Sequence, residues 1–335
     1  MSQPSVLLSG FADEAANQKT LDQQFSALAA LGMRYFSIRF VDAGNGVKNV
    51  MGLEPAELET VKQKIAEYGL SVSSLGSPIG KVKLCDVDDG TTTPFRPFDQ
   101  YIVEDVPRAC ELANAFGSKL IRGFSFYHPK GSSLDEHFDQ ATDQVGKIAD
   151  VCDCHGLTYG LEVEANLVGQ SGGLLAKMHQ QINNSALVLI FDGGNLVTMG
   201  YSPDEVYEQY ELMKPGLGWL HIKDFLNPQS GKVDHVDEEA LKHFVPADIG
   251  DSGHQRILAD LAGFIPALES RMIARGVPGV FLDLEPHVKG GGQFGGFSGP
   301  DGFGVALRAL CRVCDQAGIE YRLRDFSDIQ KDRGF

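Results

Sequence analysis

The 335-residue chain has no long apolar stretch: its longest unbroken run, Ala186–Phe191, falls far short of the roughly 20 residues a membrane helix needs. A spanning helix is excluded. Positive charge is also scarce, with 29 Lys+Arg against 45 Asp+Glu for a net −16, which opposes attachment to phosphate backbones or anionic membranes. Neither nucleic acid nor a membrane is expected as a partner. No basic segment leads into an apolar one at the start, so Met1–Leu8 reads as the beginning of the fold and the cytoplasm is the expected compartment. The six cysteines, at positions 85, 110, 152, 154, 311 and 314, are too few and the chain too long to call for a disulfide scaffold, and they are expected to be reduced. Cys311 and Cys314 have no second CxxC to complete a zinc site, and they lie in an apolar-periodic stretch (Val305, Leu307, Leu310, Val313) that reads as a packed helix. No GxGxxG follows the first β-like run, and there is no P-loop or dense Arg/Lys cluster, so neither a switch-point nucleotide site nor a phosphorylated substrate is signalled.

What the chain does have is alternation. Eight short β-like runs (Val6–Gly10, Arg34–Arg39, Ser71–Leu75, Lys119–Phe126, Thr158–Glu164, Leu187–Asp192, Trp219–Lys223 and Val280–Glu285) are interleaved with helical patterns. The helices are expected at Asn17–Leu31, Pro55–Tyr68, Tyr101–Phe116, Ser133–His155, Leu174–Asn183, Pro203–Met213, Gln255–Arg275 and Gly302–Gln316. Eight βα units predict an α/β protein folded as a single closed (β/α)8 barrel spanning residues 1–335. Gly69, Gly117, Gly156 and Gly318 fall just past helical patterns, where a left-handed residue ends a helix. Long loops are expected after strands seven and eight, at Leu226–Ser252 and Val288–Gly302. The second is glycine-rich but carries Phe294 and Phe297, with Phe303 just beyond, which favours an ordered loop that packs aromatics and offers backbone N–H groups to a ligand.

Strand ends at the C-terminal mouth of a barrel carry its chemistry, and four polar residues stand there in the last four strands: Glu162, Asp192, His221 and Glu285. Their spacings match successive βα units, the last enlarged by the insertion after strand seven. Singly, each has an ordinary explanation: an internal ion pair for the glutamates, a helix cap for Asp192, a satisfied core imidazole for His221. Jointly, three carboxylates and an imidazole on one mouth repel unless a cation sits between them. Such a donor set suits Mn²⁺ first, with Mg²⁺ or Co²⁺ close behind and Zn²⁺ competing on affinity.

With GFADEA, GSPIGK, IRGFSFY, LEVEAN, FDGGN, LHIKD and LEPH in place, the chain resembles the sugar phosphate isomerase/epimerase superfamily, the xylose-isomerase-like TIM barrels that include AP endonuclease family 2. The resemblance covers nearly the whole chain. It implies one divalent metal on Glu162, Asp192, His221 and Glu285, with Glu162 and Glu285 also moving protons next to a carbonyl. Glu164 stands where relatives often carry His or Leu, and is open to three roles: base, fifth ligand or hydroxyl anchor. Asn195 stands where the metal-rich endonucleases carry histidine, which weakens a DNA-repair reading.

Further candidates are His128 (catalytic) and, for substrate binding, Arg39, Arg122, His254 and His287, with Glu164 as well. The imidazoles could donate to substrate oxygens or relay protons; the arginines could grip a sugar oxygen or neutralise the acidic mouth. Lys223 is a further substrate-binding candidate, or else one half of a supporting pair with Asp224. The leading functional expectation is a metal-dependent sugar isomerase or epimerase working through an enediolate on an unphosphorylated sugar. A second is a lyase on 3-keto-glycosides, in which loss of the C2 proton expels the C1 substituent by β-elimination, as in keto-sugar lyases and C-glycoside-deglycosylating enzymes. A third is a non-catalytic sugar-binding barrel. Expected partners are a small sugar or keto-sugar and, as among relatives, a second copy of the chain or a small partner subunit.

Overall fold

A computed structural model describes residues 3–228, 231–238, 241–289 and 297–334. The eight β-like runs become parallel strands: β1 (Ser5–Gly10), β2 (Tyr35–Ile38), β3 (Ser71–Ile79), β4 (Leu120–Gly123), β5 (Thr158–Glu162), β6 (Leu187–Asp192), β7 (Leu217–Ile222) and β8 (Phe281–Leu284). Each pairs with its successor from β2 to β8, and β8 returns to β1, with Leu7 opposite Phe281 and Gly10 opposite Leu284. A parallel bridge from Phe11 to Ser37 joins β1 to β2 and closes the barrel. Every residue of β5, β6 and β7 is buried, the continuous apolar pattern expected of strands covered on both faces.

The helices that cover them are α1 (Leu21–Ala30), α2 (Pro55–Glu67), α3 (Phe98–Ala115), α4 (Leu134–Cys154), α5 (Gly172–Ile182), α6 (Gly193–Thr198), α7 (Pro203–Met213), α8 (His254–Ala274), α9 (Gly299–Ala317) and α10 (Phe326–Arg333). Gly69, Gly117, Gly156 and Gly318 all adopt positive φ just past their helices. All six cysteines are free, and Cys314 is buried within α9 as packing predicted. Among the described residues no helix is long and apolar enough to cross a membrane.

Several boundaries differ from expectation for identifiable reasons. The fourth run stops at Gly123 because the chain then turns, with Phe126 in the left-handed region and Tyr127 bridging Lys83 and Leu167. The fifth stops at Glu162, and the Asn195 side chain takes over the Val163 carbonyl at 3.0 Å. A short hairpin, Phe40–Asp42 with Val47–Asn49, follows β2, and α6 follows β6 directly; both were too short or too glycine-rich to show periodicity. Of the expected glycine-rich loop, positions 290–296, Phe294 among them, lie outside the described residues; Phe303 is fully buried.

Alternate residues of each strand face inward, and the lower layers of the interior are filled by bulk set against glycine. A Cβ on Gly160 would stand 2.1 Å from the Trp219 ring. Trp219 therefore fills the barrel across from β5, and the next inward positions up, Glu162 and His221, begin the polar layer.

Candidate metal centre

Period-two alternation lifts Glu162 above Gly160, His221 above Trp219, Asp192 above Ile190 and Glu285 above Asp283, so that all four project into the mouth. One donor atom from each lies within 4.8 Å of all the others, and all four residues are buried. His221 turns Nδ1 inward, 3.1 Å from Glu162 Oε1 and 3.7 Å from Glu285 Oε2, while its Nε2 faces Asp283 at 4.0 Å. At 4.0 Å this is an electrostatic contact and not a hydrogen bond. Asp283 in turn accepts from Ser37, within a buried chain that links Ser37 to Ser74 and Ser73 to Ser9, each at 2.6 Å.

Asp192 divides its two carboxylate oxygens between a helix end and the cluster. Oδ1 caps α6 by accepting from the Asn195 backbone at 3.0 Å, and Oδ2 faces the cluster. Neither Asp192 Oδ2 nor Glu162 Oε2 accepts a hydrogen bond: Lys223 Nζ at 3.0 Å and Arg122 at 3.5 Å are their ion-pair contacts. Buried oxygens with open lone pairs, the Glu285 carboxylate within reach and a single imidazole fit a hard or borderline divalent cation.

The electrostatics follow from crowding. Burial raises the Asp192 carboxyl, and Glu162 and Glu285 push it further against the opposing pull of Lys223, to about 7. Burial would also raise Glu285, but Lys223 and Arg39 hold it well below the usual carboxylate range. For Glu162 the same burial is outweighed by His221 and Arg122, and its carboxyl lies low. Burial alone would lower the His221 imidazole; Glu162 raises it.

Arginines and lysines lock this layer together. Arg39 pairs with Glu285 and, at 3.1 Å, with Asp13, and it stacks on Phe11. Arg122 lies 3.5 Å from both Glu162 and Glu285. Lys223 bridges Asp192 and Glu285 at 3.0 and 3.1 Å. The expected Lys223–Asp224 pair is therefore corrected: adjacent strand residues point to opposite faces, and Asp224 accepts instead from the backbone of Phe225 and Ser252, both at 2.9 Å. His254 is also corrected as a substrate-binding candidate. It is fully buried at the start of α8, with Nε2 on the Lys223 carbonyl at 3.0 Å, and it lines neither cavity at the mouth.

Glu164 is not one of the four clustered donors; it pairs with Lys81 at 2.9 Å in a small pocket of about 30 Å³ above them. Arg39, Arg122, Lys223, Asn195 and His287 line the same pocket. His128 is placed elsewhere, in a larger neighbouring cavity of about 990 Å³, stacked on His137. His287 adopts a left-handed backbone and meets Glu14 at 2.6 Å through Nδ1, while its backbone N–H donates to Glu14 at 2.8 Å. Glu14, with Glu285 and His287, forms a second buried donor group. Sequence reasoning passed over Asp13, Glu14 and Lys81, although GFADEA and GSPIGK run off the ends of the first and third strands; the strand-end rule applied to all eight strands would have found them.

The chain matches the family model described as xylose isomerase-like TIM barrel over residues 25–300. No curated protein matches it by sequence. Among solved structures it is similar to a xylose isomerase-like TIM barrel protein from Mycobacterium smegmatis in complex with magnesium, at 16% identity and TM-score 0.59 over 95% of this chain and 97% of that one. It is similar to D-allulose 3-epimerase from Methylomonas sp., at 15% identity and TM-score 0.56 over 93% and 100% of the two chains. For 3-keto-D-glucoside 4-epimerase from E. coli the values are 14% identity and TM-score 0.54 over 93% and 100%. It spans 43% of a xylose isomerase-like TIM barrel/4-hydroxyphenylpyruvate dioxygenase fusion protein, at TM-score 0.63 and 15% identity over 93% of this chain.

Proposed function

This chain belongs to the xylose isomerase-like TIM barrel family, and on that footing we propose that it is a divalent-metal-dependent sugar isomerase or epimerase, moving a proton next to a carbonyl through an enediolate. The observation that carries the reading is the convergence of Glu162, Asp192, His221 and Glu285 within 4.8 Å on the barrel mouth. Two of the similar structures, an allulose 3-epimerase and a 3-keto-glucoside 4-epimerase, are named for stereochemical changes at carbons of keto-sugars, which agrees with it.

Glu162, Asp192, His221 and Glu285 would hold the ion, Mn²⁺ before Mg²⁺, Co²⁺ or Zn²⁺. A bound divalent cation supplies Lewis acidity toward a carbonyl or hydroxyl oxygen. Glu162 and Glu285 then serve as the pair that removes and returns the proton. His221 and Asn195 fix Glu162, the latter through Nδ2 at 3.4 Å and through the Val163 carbonyl. Arg39, Arg122 and Lys223 keep Glu285 ionised and balance charge that builds on the substrate. Lys81 orients Glu164 to accept from a sugar hydroxyl. Every Arg and Lys lining the small pocket is already paired with a carboxylate, which supports an unphosphorylated substrate.

A lyase acting on 3-keto-glycosides is the second reading, favoured by the roughly 990 Å³ cavity beside the centre, which has room for a leaving group. NMR of D-allulose and of methyl 3-keto-glucoside in D₂O with Mn²⁺-loaded protein decides between them. Deuterium entering the product with the aglycone retained supports isomerisation; release of methanol supports elimination. No exchange in either sugar, with metal bound, would turn the assignment toward a sugar-binding barrel.

A further inference from the structure

We propose that the large cavity beside the metal centre is a subsite for a second, uncharged, hydroxyl-bearing ring, so that the substrate is a glycoside of sugar on sugar and not a free monosaccharide. This rests on the keto-sugar reading above and names the substrate class for the same site.

Size is the first argument. The pocket directly over the candidate ligands holds about 30 Å³, the share of a single water, whereas the adjoining cavity holds about 990 Å³, at the upper end of the range for ligand sites. Glu238 lines both, so they are neighbours. A monosaccharide reaching the metal centre would leave most of this space to water.

The cavity is a built one. Its walls come from segments that follow β3, β4, β5 and β6 and from the insertion after β7, all on the C-terminal face of the barrel. The insertion is clasped to the β5 loop: Asn166 donates to the Val236 carbonyl at 2.9 Å and accepts from its N–H at 3.0 Å. Lys232 pairs with Glu205 at 2.9 Å and lies over the Tyr201 ring, while Val233 N–H donates to the Met199 carbonyl at 3.2 Å.

Charge then selects the occupant. Asp89, Asp234, Asp237 and Glu238 outnumber Lys130 and Lys232 in the lining. Asp89 is committed to Lys83 at 2.6 Å, and Lys232 to Glu205. Burial lowers the imidazoles of His128 and His235, so neither adds positive charge at neutral pH. A phosphate or carboxylate is disfavoured here. Thr92, Thr93, Ser132 and Gln170 offer neutral hydrogen-bonding groups beside the rings of Tyr127 and Tyr201. That combination suits a sugar, whose hydroxyls pair with the first set and whose C–H faces lie on the second; a wholly apolar aglycone would leave the polar set unpaired.

Calorimetric titration of Mn²⁺-loaded protein with two probes tests this: methyl 3-keto-glucoside, and a 3-keto-glucoside whose aglycone is a second glucose. The disaccharide should bind at least about tenfold more tightly, the worth of one or two net hydrogen bonds. Thr92→Trp, which fills the cavity from an exposed loop, should abolish that margin and leave methyl glycoside affinity unchanged. Tyr201→Ala, in the wall segment after β6, should narrow it too, and circular dichroism checks that both variants fold. Equal affinity for the two probes, an equal effect of Thr92→Trp on both, or tighter binding of a phenyl or a 6-phosphorylated 3-keto-glucoside would overturn the subsite alone. Failure of every probe to bind protein that holds its metal would overturn the sugar chemistry with it.

Discussion

At the ends of β5 and β6, Glu162 and Asp192 are fully buried, and every cation near them is tied to a carboxylate; across Glu238, the larger cavity is walled by loops whose polar groups face solvent-filled space. The first region is set by strand register, so each side chain has one place it can occupy. The second is set by the clasp of Asn166 on Val236 and the Lys232–Glu205 pair, contacts that can open without disturbing the barrel. The contrast separates the two demands a sugar enzyme makes: fixed reacting groups, and an adjustable fit to what the sugar carries.

Breaking the first region should have the largest effect. Asp192→Asn keeps a good cap for α6 but removes a charged donor from the cluster, so bound Mn²⁺ should fall at least about 100-fold in affinity and activity should fall with it. Metal analysis by inductively coupled plasma mass spectrometry checks the first; unchanged occupancy would remove Asp192 from the site. Trp219→Ala, just beneath the cluster, should cost about 3–5 kcal/mol by leaving a void against Gly160. Urea unfolding followed by circular dichroism measures it, and a loss below 1 kcal/mol would mean the barrel floor is not rigid.

The second region should yield more gently. Asn166→Ala removes both hydrogen bonds of the clasp, about 1–2 kcal/mol, and hydrogen exchange should quicken at 231–238 while β5–β7 amides keep their protection. Global acceleration would place Asn166 in the core. The smallest effect concerns Glu205, whose carboxyl the Ser202 N–H and Lys232 hold down at about 2 from an ordinary 4.5. A depressed carboxyl stabilises above its unfolded value and loses that contribution as pH falls through the folded one. The Tm gap between wild type and Glu205→Gln should therefore be full above pH 4.5 and shrink toward pH 2. A gap independent of pH would show that the ion pair contributes nothing there.

The strand-and-helix frame was legible because apolar runs alternate with helical periods, and β6 and α7 were read to the residue. The four-donor cluster was legible because βα spacing places one residue at each strand end. Harder to read were Glu14, which reaches the mouth on a short turn after β1, and Lys223, whose partner is chosen by strand pleat and not by its neighbour in sequence. His254 misled for the same reason: an imidazole in an insertion looks available until α8 packs it beneath Lys223.

By itself, then, the sequence determined the barrel and the identity of the clustered donors, since both follow from periodicities of two and 3.6 residues and from the length of a βα unit. Only the tertiary structure decided which carboxylate meets which cation, which histidines face a cavity, and how much space lies beside the centre. Those depend on contacts between residues as far apart as Glu14 and His287 or Asn166 and Val236, whose meeting is set by how whole elements pack.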